Sequence, residues 1–229
     1  MTGSFILYDL NKDHYLRYNP VRCKKRFIPA ATFDIMISLI GLETGAVVDE
    51  NSIIEWDKTE YHKPGWNRNH TLKSAITNSV DWYFQELARR IAKLDMWNYI
   101  SKVKYGNMDI SERIDSFWLN GKLRISQAEQ IEILKKIYKN ELPFSKKSIK
   151  VVKEILLLEK KSKYKLTAKT GSGIQHGKLI GWFVGYLEKF NNVYFFATNV
   201  ERGNFDNNEI RNATVEMTKN VLKKFGLLL

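Results

Sequence analysis

Residues suited to binding an anionic group and to moving a proton stand in three separate stretches of the chain. Lys169-Thr170-Gly171 combines a cation, a hydroxyl and a residue without Cβ, so a ligand can lie against the strand edge. Arg211 carries a planar guanidinium that can bind a carboxylate at two points. The hydroxyl of Ser79 can transfer a proton. Each also has a purely structural interpretation: a common strand-edge sequence, an exposed helical Arg and a helix N-cap.

The elements that carry these residues follow from the apolar periodicity. Residues 5–8 and 15–18 alternate like two strands around a turn-rich segment at 11–13, which predicts a β-hairpin. Pro29 then ends the strand and suits the first turn of a helix predicted over 32–42. Further helices are predicted over 80–91, 126–139 and 145–159.

The second half of the chain returns to strands, predicted over 164–170, 179–187 and 192–199, and ends in a helix over 208–225. The sequence therefore predicts an α+β (mixed α/β) fold, with a central antiparallel sheet built from both chain ends, flanking helices and an inserted helical lobe. We expect a single domain over 1–229 with a sheet lobe (1–28 plus 163–229) and a helical lobe (29–162). A ligand cleft is expected between the lobes.

Composition narrows the class of protein. The chain of 229 residues is 44% hydrophobic and 27% charged, as in ordinary globular proteins, and no apolar run is long enough to span a bilayer. The single cysteine excludes an intrachain disulfide. A net charge of +12 favours polyanions, but the positive residues are scattered and no nucleic-acid motif accompanies them, so nucleic acid is not expected as a partner. The four His are scattered too, and we expect no metal.

Several stretches together carry a resemblance to the class D, or oxacillinase-type, serine β-lactamases, and it extends from about residue 5 to 227. The segment Ile28-Pro29-Ala30-Ala31-Thr32-Phe33-Asp34-Ile35 resembles the family's P-A-S-T-F-K-I. Five more elements follow in the family's order: Asn78-Ser79-Val80-Asp81, Tyr105-Gly106-Asn107, Asp115-Ser116-Phe117-Trp118-Leu119-Asn120-Gly121, Lys169-Thr170-Gly171 and Arg211.

The resemblance implies a role for each matched position. Ser79 resembles the proton shuttle and Trp118 the indole that donates to a carbamate on the family's S-x-x-K lysine. Lys169 supplies positive charge in the catalytic site. The expected substrate-binding positions are Asp81, Tyr105, Asn107, Thr170, Gly171, Gly173 and Arg211. The backbone N–H groups of Ala31 and Gly173 correspond to the oxyanion hole, and backbone donors survive side-chain replacement.

Two positions depart from the family at the centre of the chemistry. Ala31 stands where the family has its nucleophilic Ser, and Asp34 stands where it has the lysine that becomes carbamylated. No acyl-enzyme can form on Ala31, and Asp34 has no amine, so no carbamylated lysine is expected and no other cofactor is implied. Asp81 replaces the family's apolar Val near Asp34, and two carboxylates in one pocket would raise a pKa or recruit a cation.

Three hypotheses follow for function. The first is a scaffold of this family that binds β-lactams or peptidoglycan-like molecules without turnover, as a monomer or homodimer. The second is an active class D β-lactamase whose Ser and Lys have been replaced to trap a ligand. The third is a cationic protein that uses the same fold to bind a polyanion.

The resemblance also implies a secreted, periplasmic or cell-surface protein from which a signal peptide has been removed. The start of the chain carries no charged and apolar leader pattern, so the cytoplasm is the alternative.

Overall fold

A six-stranded antiparallel sheet joins the two ends of the chain. The computed structural model describes residues 2–203 and 206–228. The sheet has the order β2-β1-β8-β7-β6-β5, so the N-terminal hairpin pairs with the last strand. Its strands are β1 (Thr2–Asp9), β2 (His14–Tyr18), β5 (Leu157–Lys160), β6 (Tyr164–Gln175), β7 (Lys178–Lys189) and β8 (Asn192–Arg202). A separate two-stranded ribbon consists of β3 (Ile53–Ile54) and β4 (His70–Thr71).

Helices cover both faces of the sheet. They are α1 (Pro20–Cys23), α2 (Asp34–Glu43), α3 (Leu72–Asn78), α4 (Asp81–Arg90), α5 (Lys93–Val103), α6 (Gln127–Lys139), α7 (Lys146–Ile155) and α8 (Asn207–Lys224). Two short 3₁₀ helices span Ala30–Phe33 and Pro64–Trp66. Among the described residues no helix is long and apolar enough to cross a membrane.

Two apolar cores explain this layering. The larger core lies between one sheet face and the helices between β2 and β5, and includes Phe33, Trp118 and Trp182. The smaller core lies on the other face, where Leu222 of α8 packs against Phe183 and Phe196. The inner strands therefore bury both of their faces, as the nearly continuous burial of β7 shows, whereas the edge strands β2 and β5 are mostly exposed.

The predicted fold class is confirmed: the sheet is antiparallel and draws its strands from both chain ends. The predicted helix over 145–159 is wrong at its end, because α7 stops at Ile155 and β5 begins at Leu157. Leu157 and Leu158 continue the apolar pattern of the helix, yet both are exposed on an edge strand. The sheet consequently includes a strand from the region assigned to the helical lobe, and the two-lobe division stays a prediction.

Candidate active site

The 3₁₀ helix Ala30–Phe33 and the first turn of α2 place residues 31 and 34 beside the sheet. Ala30 has φ 47°, in the left-handed region that L-residues rarely occupy. Ala31 and Asp34 are both buried. Strand β6 lies directly against this helix: a Cβ on Gly171 would come within 3.0 Å of the Pro29 carbonyl oxygen and of the Thr32 amide nitrogen. The missing side chain of Gly171 thus allows β6 to lie close to the 3₁₀ helix. The ligand contact expected of Gly171 stays a prediction.

Lys169 is the centre of the polar contacts in the site. Its ammonium Nζ is 2.6 Å from the Ser79 hydroxyl, to which it donates, and 3.3 Å from Oδ2 of Asp34. It also donates to the Thr170 carbonyl at 3.2 Å. Lys169 and Asp34 are 4% and 1% exposed, so the ion pair is removed from water. One cation therefore links three of the positions that the motifs predict.

Ser79 occupies the junction between α3 and α4. Its φ of 48° and ψ of 60° place it in the left-handed region as the C-cap of α3, and Val80 is the N-cap of α4. The N-cap interpretation of Ser79 is therefore wrong. The residue is 6% exposed, and the hydroxyl accepts the Lys169 hydrogen bond.

Unpartnered polar atoms surround Asp34. Neither carboxylate oxygen of Asp34 accepts a hydrogen bond from the described residues, and the Trp118 Nε1–H and the Tyr105 hydroxyl have no partner there either. The ring of Phe33, the residue before Asp34, packs near both side chains, with its centroid 5.8 Å from that of Trp118 and 5.0 Å from that of Tyr105. The carboxylate of Asp34 therefore does not accept a hydrogen bond from the Trp118 indole.

Burial sets the electrostatics of this site. Removal from water raises the pKa of Asp34 to about 7; Lys169 opposes that rise and Asp81 adds to it. Burial likewise lowers the pKa of Lys169. Although part of Asp81 reaches the surface, desolvation raises the pKa of its carboxyl as well, against the pull of Lys63. Burial is the main cause of both rises, and the neighbouring carboxylate adds to the rise of the Asp34 pKa.

The outer end of the site is cationic. Thr170 is partly exposed and lines a cavity of about 640 Å³ together with Asn78 and Arg211. Arg211 lies in the first turns of α8, where its guanidinium donates to Asn208 at 3.0 Å. Its charge acts on both Asp81 and Lys169, so it faces the same cleft.

Strand β6 continues past Gly171 along the 3₁₀ helix. A Cβ on Gly173 would lie 3.3 Å from the Cβ of Ala30, so this residue is close to the segment that contains Ala31. The strand and helix thus bring together the two backbone segments expected to form an oxyanion hole. That role stays a prediction.

Tyr105 and Asn107 lie away from the open part of the cleft. Tyr105 is 1% exposed, and burial raises the pKa of its phenol. The Asn107 side chain accepts from the Arg124 amide and donates to the Lys122 carbonyl, both at 2.9 Å. These bonds fix a loop, and a substrate-binding role for either residue stays a prediction.

Two further residues lie near the site and are not among those that the sequence predicts. Lys63 lies over the Trp66 ring at 4.2 Å and acts on Asp81, Lys169 and Arg211 electrostatically. Gln130 donates to the Thr32 hydroxyl at 2.9 Å and so supports the 3₁₀ helix. Nothing in the spacing of either residue distinguishes it from a surface Lys or a helical Gln. Within residues 2–203 and 206–228 no group of three or more His, Cys, Asp or Glu side chains could hold a metal ion.

Comparison with known proteins identifies the family. The family model for the penicillin binding protein transpeptidase domain matches residues 4–223. The probable β-lactamase YbxI of Bacillus subtilis (strain 168) is 42% identical over 226 residues, covering 99% of this chain and 82% of the relative. The regulatory protein BlaR1 of Bacillus licheniformis is 36% identical over 227 residues; the match covers 99% of this chain and 37% of that longer protein.

The fold comparison agrees with the sequences. The crystal structure of the class D β-lactamase YbXI from Nostoc superposes with a TM-score of 0.95 at 41% identity, covering 99% of this chain and 95% of that one. The chain therefore belongs to the penicillin-binding transpeptidase family and, within it, to the class D β-lactamase group.

Proposed function

We propose that this protein recognises β-lactams or peptidoglycan-like molecules in the class D cleft and does not hydrolyse them. The ligand carboxylate lies at the cationic end, against Thr170 and Arg211. The ligand carbonyl lies between the 3₁₀ helix and β6, where backbone N–H groups of Ala31 and Gly173 are the proposed donors. The protein acts outside the cytoplasm, where ligands of this kind are found.

The proposal is supported by side chains suited to a carboxylate in a site whose residue 31 has no attacking atom. Lys169, Thr170 and Arg211 supply charge and donors. Ala31 carries only a methyl group, and Asp34 pairs with Lys169. Binding needs the first group of residues, and acyl transfer by the family mechanism needs the missing hydroxyl. The relative named as a regulatory protein is consistent with a role other than hydrolysis.

Binding is tested by calorimetry with benzylpenicillin and with a stem-peptide analogue. We expect saturable binding to the unaltered chain. Arg211→Ala should weaken it about tenfold, the equivalent of about 1.4 kcal/mol for a charged hydrogen bond. Lys150→Ala removes the same charge from the exposed face of α7 and should leave the affinity unchanged. Absence of binding, or equal losses in both variants, would refute the proposed recognition.

Hydrolysis is tested with a chromogenic cephalosporin. We expect no multiple turnover by the unaltered chain, and turnover at a steady rate would contradict the proposal. The double replacement Ala31→Ser with Asp34→Lys, assayed with added bicarbonate, restores the missing groups. Recovery would mean that the rest of the machinery is complete, as in an active enzyme with two residues replaced. If the double variant did not hydrolyse the substrate, the site would differ from an active enzyme at further positions, and Asp81 would be the first to replace.

A further inference from the structure

A hydroxyl, an amine and a carboxylate lie in sequence in the buried part of the site. The Ser79 Oγ is 2.6 Å from Lys169 Nζ, which is 3.3 Å from Asp34 Oδ2. Nucleophilic enzymes use this order: an attacking group, a base within hydrogen-bond reach and a third group that orients the base. We propose that Ser79 is itself a nucleophile, with Lys169 as its base and Asp34 as the group that orients Lys169, and that it accepts one acyl or phosphonyl group from an activated reagent.

The hydroxyl, and not the backbone, distinguishes Ser79. Its left-handed conformation ends α3 in the same way that Lys104 and Asn140 end α5 and α6. Among the described residues, however, its hydroxyl has the Lys169 ammonium as hydrogen-bond partner.

Other hydroxyls in the vicinity are engaged differently. Ser38 donates to the Asp34 carbonyl at 2.7 Å and Thr32 donates to the Pro29 carbonyl at 2.7 Å. In each case the proton serves a main-chain acceptor and no amine is bonded to the oxygen. Of these three hydroxyls, that of Ser79 is the one bonded to an amine among the described residues.

The electrostatics allow Lys169 to act as a base. Burial lowers its pKa while it raises that of Asp34, so the pair shares its proton more evenly than an exposed Lys–Asp pair. Asp81, Lys63 and Arg211 are the other charged groups that face the pair, and their effects on Lys169 oppose one another.

Transfer of the acyl or phosphonyl group to Ser79 needs no reactant other than the reagent. Lys169 in its amine form takes the proton from Oγ of Ser79, and Oγ bonds to the carbonyl carbon of the reagent. The bond from that carbon to the leaving group breaks, and the leaving group takes the proton from the Lys169 ammonium. With a fluorophosphonate, the O–P bond forms, the P–F bond breaks and hydrogen fluoride is released. No water-activating base is assigned, so the adduct is expected to be stable and the reaction to stop at one equivalent.

The experiment uses the full chain and a fluorophosphonate reagent, which modifies activated serines. Intact mass spectrometry should show one adduct per chain, and fragmentation should place it on Ser79 and not on Ser74 of the same tryptic peptide. Ser79→Ala should abolish labelling, whereas Ser172→Ala, which removes the hydroxyl next to Lys-Thr-Gly, should label like the parent. Lys169→Arg keeps the charge beside Asp34 but removes the amine base, and should slow labelling about 100-fold or more.

Labelling at another residue, or no labelling of a chain that circular dichroism shows to be folded, would overturn the proposal. An unchanged rate in Lys169→Arg would also overturn it, because Lys169 would then not be the base. The reagent carries no β-lactam ring, so this result is independent of the recognition proposed above. Ser79 can be labelled even if calorimetry shows no β-lactam binding, and binding can be seen even if Ser79 is not labelled.

Discussion

Two buried polar clusters in this protein differ in whether their polar atoms have hydrogen-bond partners. Between α6 and the sheet, Gln127 accepts from the Ser4 hydroxyl and donates to the carbonyls of Ser4 and Ala197 at 3.0 and 2.6 Å. Around Asp34, by contrast, four of the five buried side-chain atoms that lack a hydrogen bond among the described residues are found together. Since folded proteins satisfy nearly all buried polar groups, a concentration of exceptions in one place points to a functional site.

The difference has a physical origin. The cluster at Gln127 connects a helix to two strands, and its hydrogen bonds contribute to stability. The cluster at Asp34 combines an indole and a phenol with a short acidic side chain. Within the part of the chain that the structure describes, the donors of Trp118 and Tyr105 have no acceptor.

The largest effect is expected from Asp34→Asn, as a function of pH. The pKa of Asp34 is about 7 in the folded chain and near 4 in the unfolded one. Between these values the folded state binds more protons, so the free energy of unfolding falls as pH rises, by about 4 kcal/mol at most. Asp34→Asn should remove this slope in urea titrations from pH 4 to 7. The control Asp95→Asn, on the first turn of α5, should keep the pH dependence of the parent. If the free energy of unfolding depended on pH equally in Asp34→Asn and in the parent, the raised pKa would not belong to Asp34.

Gln127→Ala tests the satisfied cluster. The replacement leaves the Ser4 hydroxyl and two carbonyls without their partner in a dry interior, so we expect a loss of about 3 kcal/mol. Gln85→Ala, on partly exposed α4, is the matched control and should cost less than about 0.5 kcal/mol. Chemical unfolding measures both, and similar losses would refute the importance of the cluster.

A pair of tryptophans compares the two clusters directly. Trp118 and Trp182 are both fully buried, but only the Trp182 indole has a partner in the described structure, the Ile28 carbonyl at 2.8 Å. Trp182→Phe leaves that carbonyl unpaired and should cost about 1–2 kcal/mol more than Trp118→Phe, since both lose similar apolar contact. Thermal and urea unfolding of the two variants give the difference; a larger loss for Trp118→Phe would contradict it.

The smallest effect is expected for a pair of tyrosines. The Tyr83 hydroxyl donates to the Ser52 carbonyl at 2.8 Å, whereas the Tyr105 hydroxyl is unpartnered among residues 2–203 and 206–228. Tyr83→Phe should therefore lower the free energy of unfolding by about 1 kcal/mol, and Tyr105→Phe should leave it unchanged or raise it slightly. Destabilisation by Tyr105→Phe comparable to that of Tyr83→Phe would mean that the phenol has a partner in solution.

The sequence was sufficient for the fold class and for the positions of the motif residues. Alternation and helical periodicity report local structure, and the order of Ser79, Trp118, Lys169 and Arg211 indicates the family. The Lys169–Asp34 ion pair could not be read from the sequence, because it depends on how closely β6 approaches the 3₁₀ helix. Strand β5 was missed because exposed leucines on an edge strand look like the last turn of an amphipathic helix.

The left-handed Ala30 and the 3₁₀ helix after it make positions 31 and 34 unequal as targets of mutation. This backbone arrangement does not depend on the side chain of residue 31. Ala and Ser codons are neighbours in the genetic code, so a single base change at position 31 can introduce a hydroxyl. Asp and Lys codons are not neighbours, and Asp34 is paired with Lys169. A change to Lys at position 34 is therefore the less accessible of the two.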